Sequence, residues 1–117
     1  MTENSPGNPL DRVSTLTFDI FGTVLDLAGS IVPPLEEILR SCEVRESITG
    51  ADVWSHWRQR QRIEQYQDNM LMLGHSGYQA VMKRALLNSL RTLNIEFTNE
   101  QIDELMNAYQ GLNPFQD

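Results

Sequence analysis

Leu16-Thr17-Phe18-Asp19-Ile20-Phe21-Gly22-Thr23-Val24-Leu25-Asp26 is the stretch that decides the fold of this 117-residue chain. Together with Val13-Ser14-Thr15 it is rich in β-branched and apolar residues, the composition of a strand. Gly22-Thr23 breaks the run and turns it into a loop. Asp19 therefore sits at the C-terminal end of a predicted strand, where parallel α/β sheets hold their ligands. A rigid strand would fix the carboxylate, and glycine would let backbone come close to a ligand. Turn amides could hold the carboxylate ionised and bind an anion. Such an Asp can act as a nucleophile that forms an ester. It can equally be a strand-end residue that caps the turn. Spacing alone leaves both open.

Downstream of this run the pattern becomes helical. Val24 to Leu27 is a short apolar stretch, and Ala28-Gly29-Ser30 reads as a turn. Pro33-Pro34 suits a helix start, with Leu35, Ile38 and Leu39 at helical spacing. Glu36, Glu37 and Arg40 complement that helix's dipole. Asp52 is the expected N-cap of a long helix to about Leu73, which carries Val53, Trp54, Trp57, Gln61, Glu64, Tyr66 and Met70. Gly74 to Gly77 reads as a turn. A third helix is expected from Tyr78 to Leu93, with an apolar stripe of Val81, Ala85, Leu86, Leu90 and Leu93. Thr98 and Gln101 have the spacing of a capping box for a last helix, which Gly111 and Pro114 should end.

Composition narrows the function. Hydrophobic residues make up 40% and charged residues 21%, as in a globular protein. The net charge of -7 argues against nucleic acid or an anionic membrane as a partner. The single cysteine, Cys42, cannot form a disulfide within the chain and reads as a small buried or half-buried hydrophobe. The first eleven residues lack the apolar core of a signal peptide and read as a disordered lead-in; a cytoplasmic location is expected. His56 and His75 show no metal-ligand spacing and read as surface and turn residues.

FDIFGTVLD, residues 18–26, resembles the first motif of the haloacid dehalogenase superfamily, whose nucleophilic Asp ends the first core strand. The resemblance makes Asp19 the nucleophile and places Phe21, Gly22 and Thr23 around the substrate. Phosphatases of that superfamily carry a second Asp two residues on, with magnesium beside the pair; Phe21 stands there instead. An aromatic residue at that position resembles the metal-free L-2-haloacid dehalogenase branch. Trp57-Arg58-Gln59-Arg60-Gln61 resembles that branch's cap helix, which implies that Arg58 binds substrate or the leaving halide; Trp54 and Trp57 read as cap packing, with the substrate cleft as a second place for Trp57. A guanidinium is always charged and offers a fork of donors to a carboxylate or halide. Arg60 and Arg62 read as a solvated face. Asn107-Ala108-Tyr109 through Leu112-Asn113-Pro114-Phe115 resembles the return from cap to core.

The resemblance thus implies an α/β fold reduced to one core strand and a helical cap. Residues 1–12 would be lead-in, 13–27 the first strand and nucleophile loop, 28–111 the cap and 112–117 the return. The implied function is an (S)-2-haloacid dehalogenase-type hydrolase that needs no cofactor or metal and acts on a small anionic substrate. The family's Ser/Thr-Asn segment, its lysine and its water-activating residues have no counterpart here. The chain alone is therefore expected to be a poor or inactive catalyst: a fragment, a truncated gene model, a splice form or a decayed copy. The alternatives are a phosphatase of the same superfamily and a non-enzymatic helical module, for which a homodimer would bury the orphan strand.

Overall fold

The computed structural model describes residues 7–42, 47–70, 74 and 76–116. Four helices form its body: α1 (Leu27–Ser41), α2 (Gly50–Met70), α3 (Tyr78–Thr92) and α4 (Asn99–Ala108). Residues 9–12, expected in the lead-in, make a short exposed 3-10 turn.

Helix α1 starts a turn and a half earlier than the prolines suggest. Asp26 is its N-cap, and the carboxylate accepts the Gly29 N–H at 2.9 Å. The Ala28-Gly29-Ser30 turn is thus the helix's first turn, and Pro33 and Pro34 lie inside it. A proline in a helix interior costs ~3 kcal/mol. Starting at Leu27 buries Leu27 and Ile31 beside Leu35, Ile38 and Leu39. At about 1.5–3 kcal/mol per buried side chain, with about 1 more for the cap, that gain is of the same size as the cost of the two prolines together. Gly29 also has a steric role, because a Cβ there would collide with the Asp26 carboxylate.

Helix α2 is capped differently from the expectation. Thr49, not Asp52, is at its head: the Asp52 carboxylate accepts the Thr49 N–H at 2.9 Å, and the Thr49 hydroxyl accepts the Asp52 N–H at 3.2 Å. Glu36 reaches over from α1 to accept the Gly50 N–H at 2.6 Å. The expected end at Leu73 lies outside the described residues, as does His75. In α4 the capping box is present as spacing predicts, with Thr98 and Gln101 bonded reciprocally. That helix ends at Ala108, ahead of Gly111, and the Tyr109 N–H closes its last turn.

The core lies between these helices. Val53 and Trp57 from α2, Met82, Ala85, Leu86 and Leu90 from α3, and Ile102 and Leu105 from α4 pack on the α1 stripe. The Trp57 indole N–H donates to the Met82 carbonyl at 2.9 Å, so the largest buried side chain leaves no donor unpaired. Cys42 is half-buried beside Gln101, and His56 is exposed, both as expected.

The chain leaves the bundle where it entered. Asn113 accepts the Asp26 N–H at 2.8 Å, and the Phe115 N–H donates to the Val24 carbonyl at 3.1 Å. Residues 13–20, by contrast, do not form the expected strand. Among the described residues the only β pairings are isolated bridges from Leu25 to Phe21 and Pro114. A strand is defined by a partner's ladder, and this segment has none. Its side chains show the result: Leu16 and Phe18 are 67% and 71% exposed.

Ser89 carries a testable consequence. Its hydroxyl is buried in the α3 face without a hydrogen-bond partner among the described residues. Ser89→Ala should therefore stabilise the bundle by about 1 kcal/mol. Thermal or denaturant unfolding would check this, and a destabilised variant would contradict the assignment.

Candidate active site

The loop that carries Asp19 is closed on itself. The Gly22 N–H donates to the Leu25 carbonyl at 2.9 Å, and the Val24 and Leu25 N–H groups both donate to the Ile20 carbonyl at 2.9 Å. Gly22 has φ +82°, a conformation that costs other residues strain. These amides are used within the turn, so they do not form the carboxylate cradle expected from the sequence. The Asp19 carboxylate instead accepts the Thr23 hydroxyl, at 2.9 Å through Oδ2. Asp19 itself is exposed. Asp26 has a different task, as the α1 cap.

Phe21 ties this loop to the bundle. Its ring stacks on that of Tyr78, the first residue of α3, with centroids 5.6 Å apart and planes 12° apart. Tyr78 meets Tyr109 edge-on at 6.4 Å, and Tyr109 meets Trp57 at 5.1 Å and Trp54 at 6.0 Å. A continuous aromatic array thus runs from the Asp19 loop to α2.

Arg58 lies at the other end of that array. It is half-buried, and its Nη1 donates to Gln61 Oε1 at 2.9 Å. The same oxygen faces the Tyr109 hydroxyl at 3.4 Å, and Gln61 Nε2 donates to the Tyr78 hydroxyl at 3.2 Å. Burial pushes the Tyr109 phenol well above the usual tyrosine range, and the neighbouring Tyr78 adds to this; Arg58 pulls the other way. The Tyr109 hydroxyl therefore remains protonated, a donor rather than an anion. Arg58 also borders a shallow groove with Trp54, Ser55, Gln59 and Arg62.

One sequence expectation changes at this point. Trp57 does not line an open cleft: it is 0% exposed and belongs to the core. Arg60 pairs with Glu64 at 2.7 Å on a solvated helix face, as expected. Three residues of the site were missed altogether, namely Gln61, Tyr78 and Tyr109. Gln61 did carry a signal. It continues the Val53–Trp57 step of four, which places a polar residue on an apolar stripe. Among the described residues no three His, Cys, Asp or Glu side chains gather to hold a metal. No helix there is long and apolar enough to cross a membrane.

The Phe21–Tyr78 stack should hold the loop. An aromatic pair contributes about 0.5–1.5 kcal/mol beyond its buried area. Phe21→Ala should therefore speed amide exchange at Gly22, Val24 and Leu25 up to about tenfold, with protection of α3 unchanged. Equal exchange in both proteins would show that the stack does not restrain the loop.

Known proteins place this geometry. No family model matches the chain. An (S)-2-haloacid dehalogenase 4A from Burkholderia cepacia is 29% identical over 108 residues, which cover 92% of this chain and 43% of that protein. The structure of L-2-haloacid dehalogenase from Xanthobacter autotrophicus superposes with a TM-score of 0.60 at 25% identity, over 82% of this chain and 36% of that one. The same enzyme with chloropropionic acid covalently bound gives 0.57 at 23% identity, a likeness of fold alone. The chain thus spans about two fifths of the length of the relatives it matches. In sequence and in fold it is haloacid dehalogenase-like, similar to the 2-haloacid dehalogenases over most of its own length.

Proposed function

We propose that this chain carries the nucleophile and the anion-binding arginine of a 2-haloacid dehalogenase-type hydrolase. The observation that carries the reading is the Asp19 loop. A carboxylate is fixed by Thr23 at 2.9 Å in a turn that Gly22 makes possible, within a sequence similar to a dehalogenase over nearly its whole length. Residues 13–27 then belong to a hydrolase core whose first strand they form once paired. Residues 28–111 are its cap, and 112–117 lead back.

The chemistry follows from these groups. One Asp19 oxygen attacks the halogen-bearing carbon from the side opposite the halogen. A C–O bond forms as the carbon–halogen bond breaks, and the halide leaves with the bonding pair. Thr23 holds Oδ2, which orients the carboxylate and leaves Oδ1 to attack. Arg58 binds the substrate carboxylate or the departing halide; its charge persists at any physiological pH, and it opposes the chain's acidic balance locally. Water then attacks the ester carbonyl, releases a 2-hydroxy acid and restores the carboxylate. Among the described residues only Thr23 is bonded to the Asp19 carboxylate, so water activation must come from elsewhere, and the chain alone should turn over poorly. A phosphate-ester substrate would require an acid/base two residues beyond the nucleophile. Phe21 occupies that position and can neither move a proton nor bind a metal.

A chimera should test this directly: the chain joined to the part of the Burkholderia cepacia dehalogenase that it does not span. That protein should release halide from 2-chloropropionate, and Asp19→Asn should lower the rate by about a thousandfold or more with the fold intact. A chelator should leave the rate unchanged. Full activity in the Asn variant would remove Asp19 as the nucleophile; loss of activity with chelator would favour a metal-dependent phosphatase-type site.

A further inference from the structure

The hydrogen bonds around Gln61 determine where a neighbouring proton points. Gln61 is 0% exposed, so each of its polar atoms must find a protein partner. Arginine has no acceptor, so the amide atom that faces Arg58 Nη1 at 2.9 Å must be the carbonyl oxygen. The Gln61 NH₂ group is thereby turned to the Tyr78 hydroxyl, to which it donates at 3.2 Å. That hydroxyl oxygen is an acceptor in this contact. Its own hydrogen has no protein acceptor among the described residues and is left to point away from Gln61. Tyr78 is half-buried, and its ring lies against Phe21, two residues from Asp19. One buried amide thus orients two donors, a guanidinium and a phenol, and the phenol's ring is stacked on the loop that carries the nucleophile.

We propose that the Tyr78 hydroxyl is a second donor to the monoanion bound by Arg58, with Gln61 as the positioning residue that orients both. The inference rests on the reading of Arg58 as the anion-binding residue. The ligand chemistry is a compact monoanion, either the carboxylate of a 2-haloacid or the halide that leaves it. A phenol suits the role because it adds a donor without adding charge, and the apolar face of its ring stays covered by Phe21.

The test uses the full 117-residue chain. Arg58 Nε–H and the Tyr78 ring carbon that bears the hydroxyl are followed by NMR during titration with propionate, and separately with bromide, at low salt. In the wild-type chain both signals should move together with one affinity. Response to propionate alone would assign the carboxylate, and response to bromide alone the halide; either fits the proposal. Tyr78→Phe keeps the ring and its stack and removes only the hydroxyl. It should weaken binding about tenfold, the loss expected for one hydrogen bond to a charged group, with the unfolding midpoint close to wild type. Gln61→Leu should give a similar loss at Arg58. Arg58→Gln should abolish binding. If Tyr78→Phe binds like wild type while Arg58→Gln does not bind, the Tyr78 proposal is overturned and the Arg58 reading stands. If Arg58→Gln binds like wild type, or the wild-type chain binds neither anion, both are overturned.

Discussion

The bond from the Trp57 indole to the Met82 carbonyl, 2.9 Å long and wholly buried, is the constraint on which the rest of the structure depends. It fixes the rotation of α2 against α3. Once that rotation is set, Val53 and Gln61 must also face inward, because they share the Trp57 side of the helix at steps of four. Arg58, one residue on, is carried to the edge of the same face. The residues that pack the bundle and the arginine proposed to bind an anion are therefore positioned by a single packing choice. A change in that choice would move Arg58 as surely as a change at Arg58 itself.

Gln61 joins the packing to the chemistry. An apolar residue at that position would pack as well, since a leucine occupies similar space among Tyr78, Tyr109 and Trp57 neighbours. A buried amide adds only about 0.5–1.5 kcal/mol per hydrogen bond once its bonds replace those to water. What it adds beyond that is direction: its two ends are different, and Arg58 decides which end faces which phenol. The aromatic array then couples this arrangement to the Asp19 loop through Phe21. In a chain of net charge -7, these few groups create a local exception to the overall field.

The legible parts of the sequence were those in which a local rule and the tertiary structure agree. The Thr98–Gln101 capping box of α4 and the apolar stripe of α3 could be read because cap chemistry and burial favour the same boundaries. Pro33-Pro34 misled because proline prefers a helix start, whereas the burial of Leu27 and Ile31 outweighs that preference. Asp52 was placed at the wrong cap position because Thr49 could do the same work three residues earlier. Residues 13–20 have strand composition, yet composition cannot supply a partner, and they remain without a ladder. At the site, Asp19 and Arg58 were visible as motifs. Tyr78 and Tyr109 were not, since nothing local shows that two phenols from different helices meet one glutamine.

Whether Asp19 is a nucleophile toward carbon can be tested without turnover. The 117-residue chain is incubated with 2-chloropropionate, digested and sequenced by mass spectrometry. One carboxyethyl group, in ester linkage, is expected on Asp19, and none on the Asp19→Asn chain. An unmodified Asp19, or the same label on both chains, would contradict that role.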